Sequence, residues 1–179
     1  MPAMGKVSCR MNESRVDDRQ PTSQFTIISQ EIAAHVPVLD ELITLHADDL
    51  VAAAEGEIET VPAAQAVKLH GRDDVTFVDL RDIRELERDG RMPGAFHCPR
   101  GMLEFWIDPA SPYHKPVFAE PKRFVFFCAG GWRSALAAKT AQDMGLENVA
   151  HVSGGFKAWR EAGGPVEEPA KRQERSARA

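Results

Sequence analysis

The chain has 179 residues, of which 43% are hydrophobic and 27% are charged, a composition typical of one globular domain with or without extensions. The formal net charge of -5 argues against a nucleic-acid-binding protein that relies on a basic surface, and no apolar run approaches the roughly 18 residues that span a membrane. Cys9, Cys98 and Cys128 lie far apart, which argues against a disulfide framework and favours a reducing, cytoplasmic setting.

The two ends of the chain differ in composition from its middle. Residues 1–24 are polar and lack the apolar stretch of a secretory signal, so we predict a disordered leader. Residues 25–57 are richer in apolar side chains and are predicted to form a helical extension, with a short helix over 48–57 that packs on the domain after it. Residues 168–179 are predicted to be a basic disordered tail.

Strand and helix signals alternate between these ends. The predicted strands cover 58–61, 75–80, 95–98, 123–127 and 149–152, each a short run rich in β-branched or aromatic residues. The predicted helices cover 63–70, 82–89, 100–108, 134–144 and 156–161, and most of them end at a glycine. Because strands separated by helices pair in parallel, the sequence predicts an α/β domain with a mainly parallel five-stranded sheet flanked by helices.

The segment Phe127-Cys-Ala-Gly-Gly-Trp-Arg-Ser134 carries the chemistry that we expect of this chain. Cys128 follows the most strand-like run, and Gly130 and Gly131 allow the backbone to curl before a helix begins. Ligands bind beyond the carboxyl ends of strands in open α/β sheets, and such a loop directs backbone N–H groups and a helix dipole at one point. A thiol at that point loses its proton more readily, because the anion is the form that these groups stabilise.

Free cysteine is also a common buried hydrophobic residue at strand ends, and this is the alternative interpretation of Cys128. The two adjacent glycines, Arg133 and the helix start exceed what an ordinary turn requires. We therefore interpret Cys128 as a nucleophile.

The order of motifs resembles the rhodanese domains, and among them the single-domain bacterial sulfurtransferases. The resemblance covers roughly 58–167 and rests on four segments: VDLRDIRELERDG (78–90), MPGAFHCPRG (92–101), FVFFCAGGWRS (124–134) and GLENVAHVSGGFKAWREAGGPV (145–166). It implies a rhodanese-like domain over 58–167. Residues before 58 have no counterpart in the core of that family.

The resemblance implies a set of site residues. Cys128 corresponds to the catalytic cysteine of the family. The substrate-binding loop would comprise Ala129, Gly130, Gly131, Trp132, Arg133 and Ser134, and the supporting residues would be Asp79, Arg81, Glu85 and Arg100. Arg133 would stabilise anionic sulfur or hold the loop to a carboxylate such as Glu85, with a plain surface salt bridge as the alternative. Arg100 lies either at the mouth of the site or on the ordinary surface, and Trp132 points either into the site or outward.

The implied reaction is a two-step sulfur transfer. A small anionic donor such as thiosulfate gives its sulfane sulfur to Cys128, and a small nucleophile or a protein thiol then takes the sulfur from the resulting persulfide. No cofactor is expected. The alternatives are a non-catalytic or regulatory module whose loop binds a partner, and a carrier that passes persulfide sulfur to another protein. The oligomeric state is left open.

Loop length separates this chemistry from that of related cysteine phosphatases. Those enzymes place five residues between cysteine and arginine and usually carry a histidine before the cysteine, whereas this chain has four residues between Cys128 and Arg133 and has Phe127 before the cysteine. Cys98 is interpreted as a buried strand residue rather than a resolving cysteine. The six histidines have no metal-ligand spacing, so no metal site is expected, and His97 is assigned to packing or a hydrogen bond.

Overall fold

Five short strands form one parallel sheet in the computed structural model, which describes residues 43–168. The strands are β1 (Glu59–Val61), β2 (Val75–Asp79), β3 (Phe96–His97), β4 (Arg123–Phe127) and β5 (Val149–Val152). Their order in the sheet is β1-β5-β4-β2-β3, and every pairing between neighbours is parallel. From Leu45 onward the described residues belong to one structural unit.

Helices connect the strands, as parallel pairing requires. They are α1 (Ala47–Glu57), α2 (Ala63–Leu69), α3 (Ile83–Asp89), α4 (Leu103–Ile107), α5 (Trp132–Asp143) and α6 (Gly155–Glu161). Two short 3-10 turns, Arg100–Met102 and Pro116–Ala119, complete the connections on either side of α4. The start of α3 follows from its sequence: Asp82 accepts a hydrogen bond from the Arg84 amide and Glu85 reaches back to the Asp82 amide, which together form a capping box.

The central strand β4 is buried on both faces, which explains its continuous apolar sequence RFVFF. Phe124 and Phe126 point to a core that α1, α4 and α5 cover. Val125 and Phe127 point to the opposite core, which α2 and α6 cover with residues that include Trp159. The sheet is therefore the middle layer of a three-layer α/β fold.

The predicted fold class is confirmed, and the predicted strands agree with the observed ones to within one residue at each end. Helix α5 begins at Trp132 rather than at 134, because the turn of the preceding loop runs directly into the helix. The predicted loop 109–121 contains the 3-10 turn Pro116–Ala119. The leader 1–24, positions 25–42 of the predicted extension and tail residues 169–179 lie outside the described residues.

Helix α1 packs on the domain, since Val51 and Ala54 are buried in the same core as α5. Among the helices of residues 43–168, none combines the length and the hydropathy that crossing a bilayer would require.

Candidate active site

The loop of residues 128–133, which we call the Cys128 loop, leaves β4 at the carboxyl edge of the sheet and leads into α5. Cys128 directly follows the last residue of β4, and its exposed fraction is only 1%. Because α5 begins at Trp132, its N-terminus lies within the loop. The positive end of the helix dipole therefore lies beside the cysteine.

The sulfur of Cys128 accepts a hydrogen bond from the Gly131 amide at a distance of 3.2 Å. Gly131 has φ of +103°, a left-handed conformation in which a side chain would be strained. A Cβ atom at this position would also lie 3.1 Å from the Gly154 nitrogen. Glycine is thus required here both for the turn and for the close approach of the neighbouring loop.

Helix α6 holds the other side of the Cys128 loop. The Phe156 amide donates to the Cys128 carbonyl at 2.7 Å, and the Lys157 amide donates to the Ala129 carbonyl at 3.1 Å. A Cβ atom on Gly155 would collide with the Cys128 carbonyl and would lie 2.8 Å from the Ala129 carbonyl. The absence of a side chain at Gly155 therefore allows the N-terminus of α6 to bond directly to the loop backbone.

Arg133 closes the loop through a bidentate ion pair with Glu85 of α3. Its two terminal nitrogens donate to the two carboxylate oxygens at 2.7 and 2.8 Å. The hydrogen bonds from Arg133 are the main cause that lowers the pKa of Glu85 to about 2, against the opposing effect of burial. The pKa of Arg133 is raised, first by Glu85 and further by the neighbouring Cys128. The charged guanidinium therefore lies near the thiol, and its planar fork is bonded to Glu85 of α3.

Asp79 and Arg81 form a buried ion pair at the carboxyl end of β2, beside the Cys128 loop. Arg81 is fully buried and donates to Asp79 through Nε at 2.9 Å and Nη2 at 2.6 Å, and Nη2 also donates to the Gly90 carbonyl. Its guanidinium carbon lies 3.8 Å from the centroid of the Phe156 ring. This pair ties the end of β2 to α6 and is covered from solvent.

The remaining predicted site residues take different positions. Ser134 is buried and its hydroxyl donates to the Gly131 carbonyl at 2.8 Å. Gly130 is exposed at the tip of the loop and Ala129 is half-buried. The Trp132 side chain is 60% exposed, so it points outward rather than into the site.

Arg100 lies beyond β3 and forms an ion pair with Glu104 at 2.7 Å. About a third of its side chain is exposed, and its charge is shared with that carboxylate. Arg100 is therefore a partly exposed arginine paired with a carboxylate, and its place at the mouth of the site stays a prediction.

Cys98 and His97 have structural contacts at the end of β3. Cys98 is fully buried, and burial raises the pKa of its thiol to about 12, which disfavours the thiolate. The His97 ring lies 2.8 Å from the Arg81 carbonyl, so it serves as a hydrogen-bonding residue between β3 and the turn after β2.

A profile of the rhodanese-like domain matches residues 62–162, which is more than half of the chain. The chain belongs to the rhodanese-like domain family. The matched region contains four of the five strands, β2 to β5, and the entire Cys128 loop.

This rhodanese-like domain is similar to several solved structures and curated proteins. A Rhodopseudomonas palustris protein of unknown function, described as a possible tyrosine phosphatase, is 63% identical, with 70% of this chain and 96% of that chain covered and a TM-score of 0.69. The polysulfide-sulfur transferase homodimer of Wolinella succinogenes is 28% identical, with 70% and 89% covered and a TM-score of 0.53.

The mouse thiosulfate sulfurtransferase/rhodanese-like domain-containing protein 3 is 30% identical over 91 residues. That match covers 48% of this chain and 58% of the mouse protein, so the chain spans little more than half the length of this curated relative. The rhodanese-like domain therefore has sulfurtransferases among its relatives and structural neighbours.

Two features of this rhodanese-like domain were not singled out by sequence reasoning. One is a cavity of about 380 Å³ beside the loop, bordered by Ala129, Arg81 and Phe156 and by charged side chains of α3 and α6. Cys128 is not among the residues that line it. The other is His151 of β5, which is fully buried and lies 3.5 Å from the Ser134 hydroxyl. The sequence feature that could have pointed to His151 is its place as the one polar residue in the apolar strand VAHV.

Proposed function

We propose that this rhodanese-like domain transfers sulfane sulfur from a small anionic donor such as thiosulfate, through a Cys128 persulfide, to a nucleophilic acceptor such as cyanide or a thiol. The observation that carries the proposal is the position of the Cys128 sulfur, which accepts the Gly131 amide at 3.2 Å beside the N-terminus of α5. A backbone amide and a helix N-terminus both stabilise negative charge on sulfur.

The first step forms the persulfide. The Cys128 thiolate attacks the sulfane sulfur of thiosulfate, and the sulfur–sulfur bond of the donor breaks so that sulfite leaves with the bonding electron pair. The new terminal sulfur carries the negative charge, and the amide groups of the Cys128 loop would stabilise it. Arg133 keeps a positive charge nearby throughout, because a guanidinium stays protonated in proteins.

The second step regenerates the thiolate. The acceptor attacks the terminal sulfur of the persulfide, the bond between the two sulfurs breaks, and the electron pair returns to Cys128. The same loop then stabilises the same anion with which the cycle began, so one site serves both steps. Neither step requires a cofactor or an external oxidant.

Phosphate-ester hydrolysis is a less favoured candidate, although one similar protein is described as a possible tyrosine phosphatase. Four residues separate Cys128 from Arg133, which makes a smaller ring than the five-residue loop of cysteine phosphatases. In addition, both terminal nitrogens of Arg133 are directed to Glu85 rather than free for a phosphate.

The proposal is tested by mass spectrometry after incubation with thiosulfate. We expect one added sulfur on the Cys128 peptide, removed again by cyanide or a thiol. Cys128→Ser should lower thiosulfate:cyanide transfer by at least about 100-fold, because a hydroxyl is far less acidic than a thiol, and should leave the far-UV circular dichroism unchanged.

Cys98→Ser is the matched control, since it also replaces a buried sulfur and should keep most of the activity. Transfer that persists in Cys128→Ser would contradict the assignment of the nucleophile. Hydrolysis of aryl phosphates faster than sulfur transfer would favour the phosphatase. A protein that takes up no sulfur would favour the non-catalytic module, and loaded sulfur that moves only to a protein thiol would favour the carrier.

A further inference from the structure

Behind the Cys128 loop lies a chain of polar groups that the proposed reaction does not itself use; His151 and Ser134 in its middle are buried, and Thr60 at its far end is exposed. It consists of Thr60, His151, Ser134 and the backbone of Gly131, and it crosses from β1 through β5 to the start of α5. His151 is 0% exposed, so its ring has given up hydration and depends on these partners.

Two hydrogen bonds fix the carbonyl of Gly131. The Ser134 hydroxyl donates to it at 2.8 Å and the Ala135 amide at 2.9 Å. Gly131 has a left-handed backbone and no side chain to restrain it, so holding its carbonyl limits how far the residue, and with it its own N–H group, can move. That N–H group is the donor to the Cys128 sulfur.

The bond donated by Ser134 determines the role of His151. A hydroxyl has one proton, and that of Ser134 is used on the Gly131 carbonyl, so across the long 3.5 Å contact to Nδ1 of His151 the Ser134 oxygen is left as the acceptor and Nδ1–H as the donor. In the neutral ring Nε2 then accepts from the Thr60 hydroxyl at 3.0 Å. Each ring nitrogen therefore faces a different partner, one toward the loop and one toward β1.

The neutral ring is also the form that this environment favours. Burial lowers the pKa of His151, against an opposing contribution from the charge of Glu55. Glu55 of α1 is the charged group that faces the ring, with an oxygen 3.7 Å from Nε2.

We propose that His151 is a positioning residue for Cys128, which acts through the Ser134 hydroxyl to hold the Gly131 amide on the sulfur. The inference rests on the proposed function, since it takes Cys128 as the nucleophile. It adds a residue from β5, 23 positions beyond the cysteine in the sequence, to the groups that prepare the thiol.

The two ring nitrogens allow the loop contact to be separated from the β1 contact. His151→Asn keeps an amide group near the position of Nδ1, toward Ser134, whereas His151→Gln keeps one near Nε2, toward Thr60. Ser134→Ala removes the connecting hydroxyl. Thr140→Ala is the matched control, because Thr140 donates a similar bond to the Leu136 carbonyl on the same helix but away from the loop.

The measurement is the rate of alkylation of Cys128 by iodoacetamide as a function of pH, followed on the Cys128 peptide by mass spectrometry, with the melting temperature measured in parallel. We expect the midpoint of the profile to rise by about half to one pH unit in His151→Gln and Ser134→Ala, because a weakened amide bond stabilises the thiolate less. His151→Asn and Thr140→Ala should keep the wild-type midpoint.

Profiles that coincide in all four variants, with only the melting temperature lowered, would overturn the proposal and leave His151 a purely structural residue. If His151→Gln does not fold, Ser134→Ala decides alone, since alanine has the highest helix propensity and Ser134 lies in the first turn of α5. Alkylation needs only a free thiol. If the variants show these shifts while wild-type protein takes no sulfur from thiosulfate, the proposed function fails and the positioning role of His151 stands.

Discussion

Cys128 and Cys98 are both buried, and the difference between them lies in what surrounds each sulfur. Cys128 accepts a backbone amide at 3.2 Å beside a helix N-terminus and a charged arginine. The Cys98 thiol has a distant contact to the Pro99 carbonyl at 4.0 Å, and burial raises its pKa to about 12. Burial by itself disfavours the thiolate form of a cysteine, whereas hydrogen-bond donors directed at the sulfur favour that form.

Arg133 has two separable properties, its charge and its planar fork, and substitutions at this position distinguish them. Arg133→Ala should lose nearly all sulfur transfer, and Arg133→Lys should retain about a tenth, because lysine keeps the charge but not the bidentate bond to Glu85. The alkylation profile of Cys128 should shift to higher pH in the alanine variant and less in the lysine variant.

Arg84→Ala is the control for Arg133, since Arg84 is an exposed arginine on the neighbouring helix. If the alkylation profiles of wild type, Arg133→Lys and Arg133→Ala coincide, Arg133 acts only by holding the loop to α3.

At the scale of secondary-structure elements, the site depends on the close contact between α6 and the Cys128 loop. Gly155→Ala should lower stability by about 1–3 kcal/mol, because Gly155 has φ of +59° and a Cβ would collide with the loop carbonyls. Activity should fall with it, since the Cys128 backbone must move.

Gly130→Ala provides the comparison for Gly155, because a Cβ at Gly130 meets nothing within 4 Å and its φ lies outside the left-handed region. Thermal unfolding and sulfur transfer of both variants check the prediction. Equal melting temperatures would show that α6 can withdraw from the loop without cost.

For the molecule as a whole, α1 contributes to the core even though it precedes the region that matches the family. Val51 is buried and Leu50 beside it is 44% exposed. Val51→Ala should therefore lower the free energy of unfolding by about 1–3 kcal/mol, and Leu50→Ala by less than about 0.5 kcal/mol. Urea denaturation of the two variants measures the difference, and equal losses would argue that α1 is only peripheral.

The Arg133–Glu85 pair gives global stability a specific pH dependence. The pKa of Glu85 falls from 4.5 to about 2 on folding, so its contribution is fully present above pH 4.5 and is lost as the pH falls towards 2. Glu85→Gln should destabilise the protein at pH 7, and the difference from wild type should shrink below pH 4.5.

Urea denaturation at pH 7, 5, 4 and 3.5 tests the predicted role of Glu85. His151 affects stability in a different pH range. Because its pKa is lowered in the folded protein, stability decreases as the pH falls below about 6.5, and this loss is the same in wild type and in Glu85→Gln. A difference between Glu85→Gln and wild type that stays constant down to pH 3.5 would contradict the prediction.

The sequence by itself determined the features that neighbours in the chain encode. The strand RFVFF, the curl at Gly130 and Gly131 and the helix after them are signalled by adjacent residues, so the fold class and the loop with its cysteine could be predicted. The sequence offered Glu85 as one of several carboxylates that could pair with Arg133. The capping box at the start of α3 fixes the position of Glu85 and so allows this pairing.

Only the tertiary structure decided which distant residues meet behind the loop. His151 reaches Ser134 and Thr60 because β5 lies between β1 and β4 in the sheet, an order that results from the crossover connections rather than from any local pattern. The outward direction of Trp132 and the burial of Val51 were decided in the same way. Periodicity and turn chemistry act over a few residues, whereas these contacts form only when separate strands and helices pack into one core.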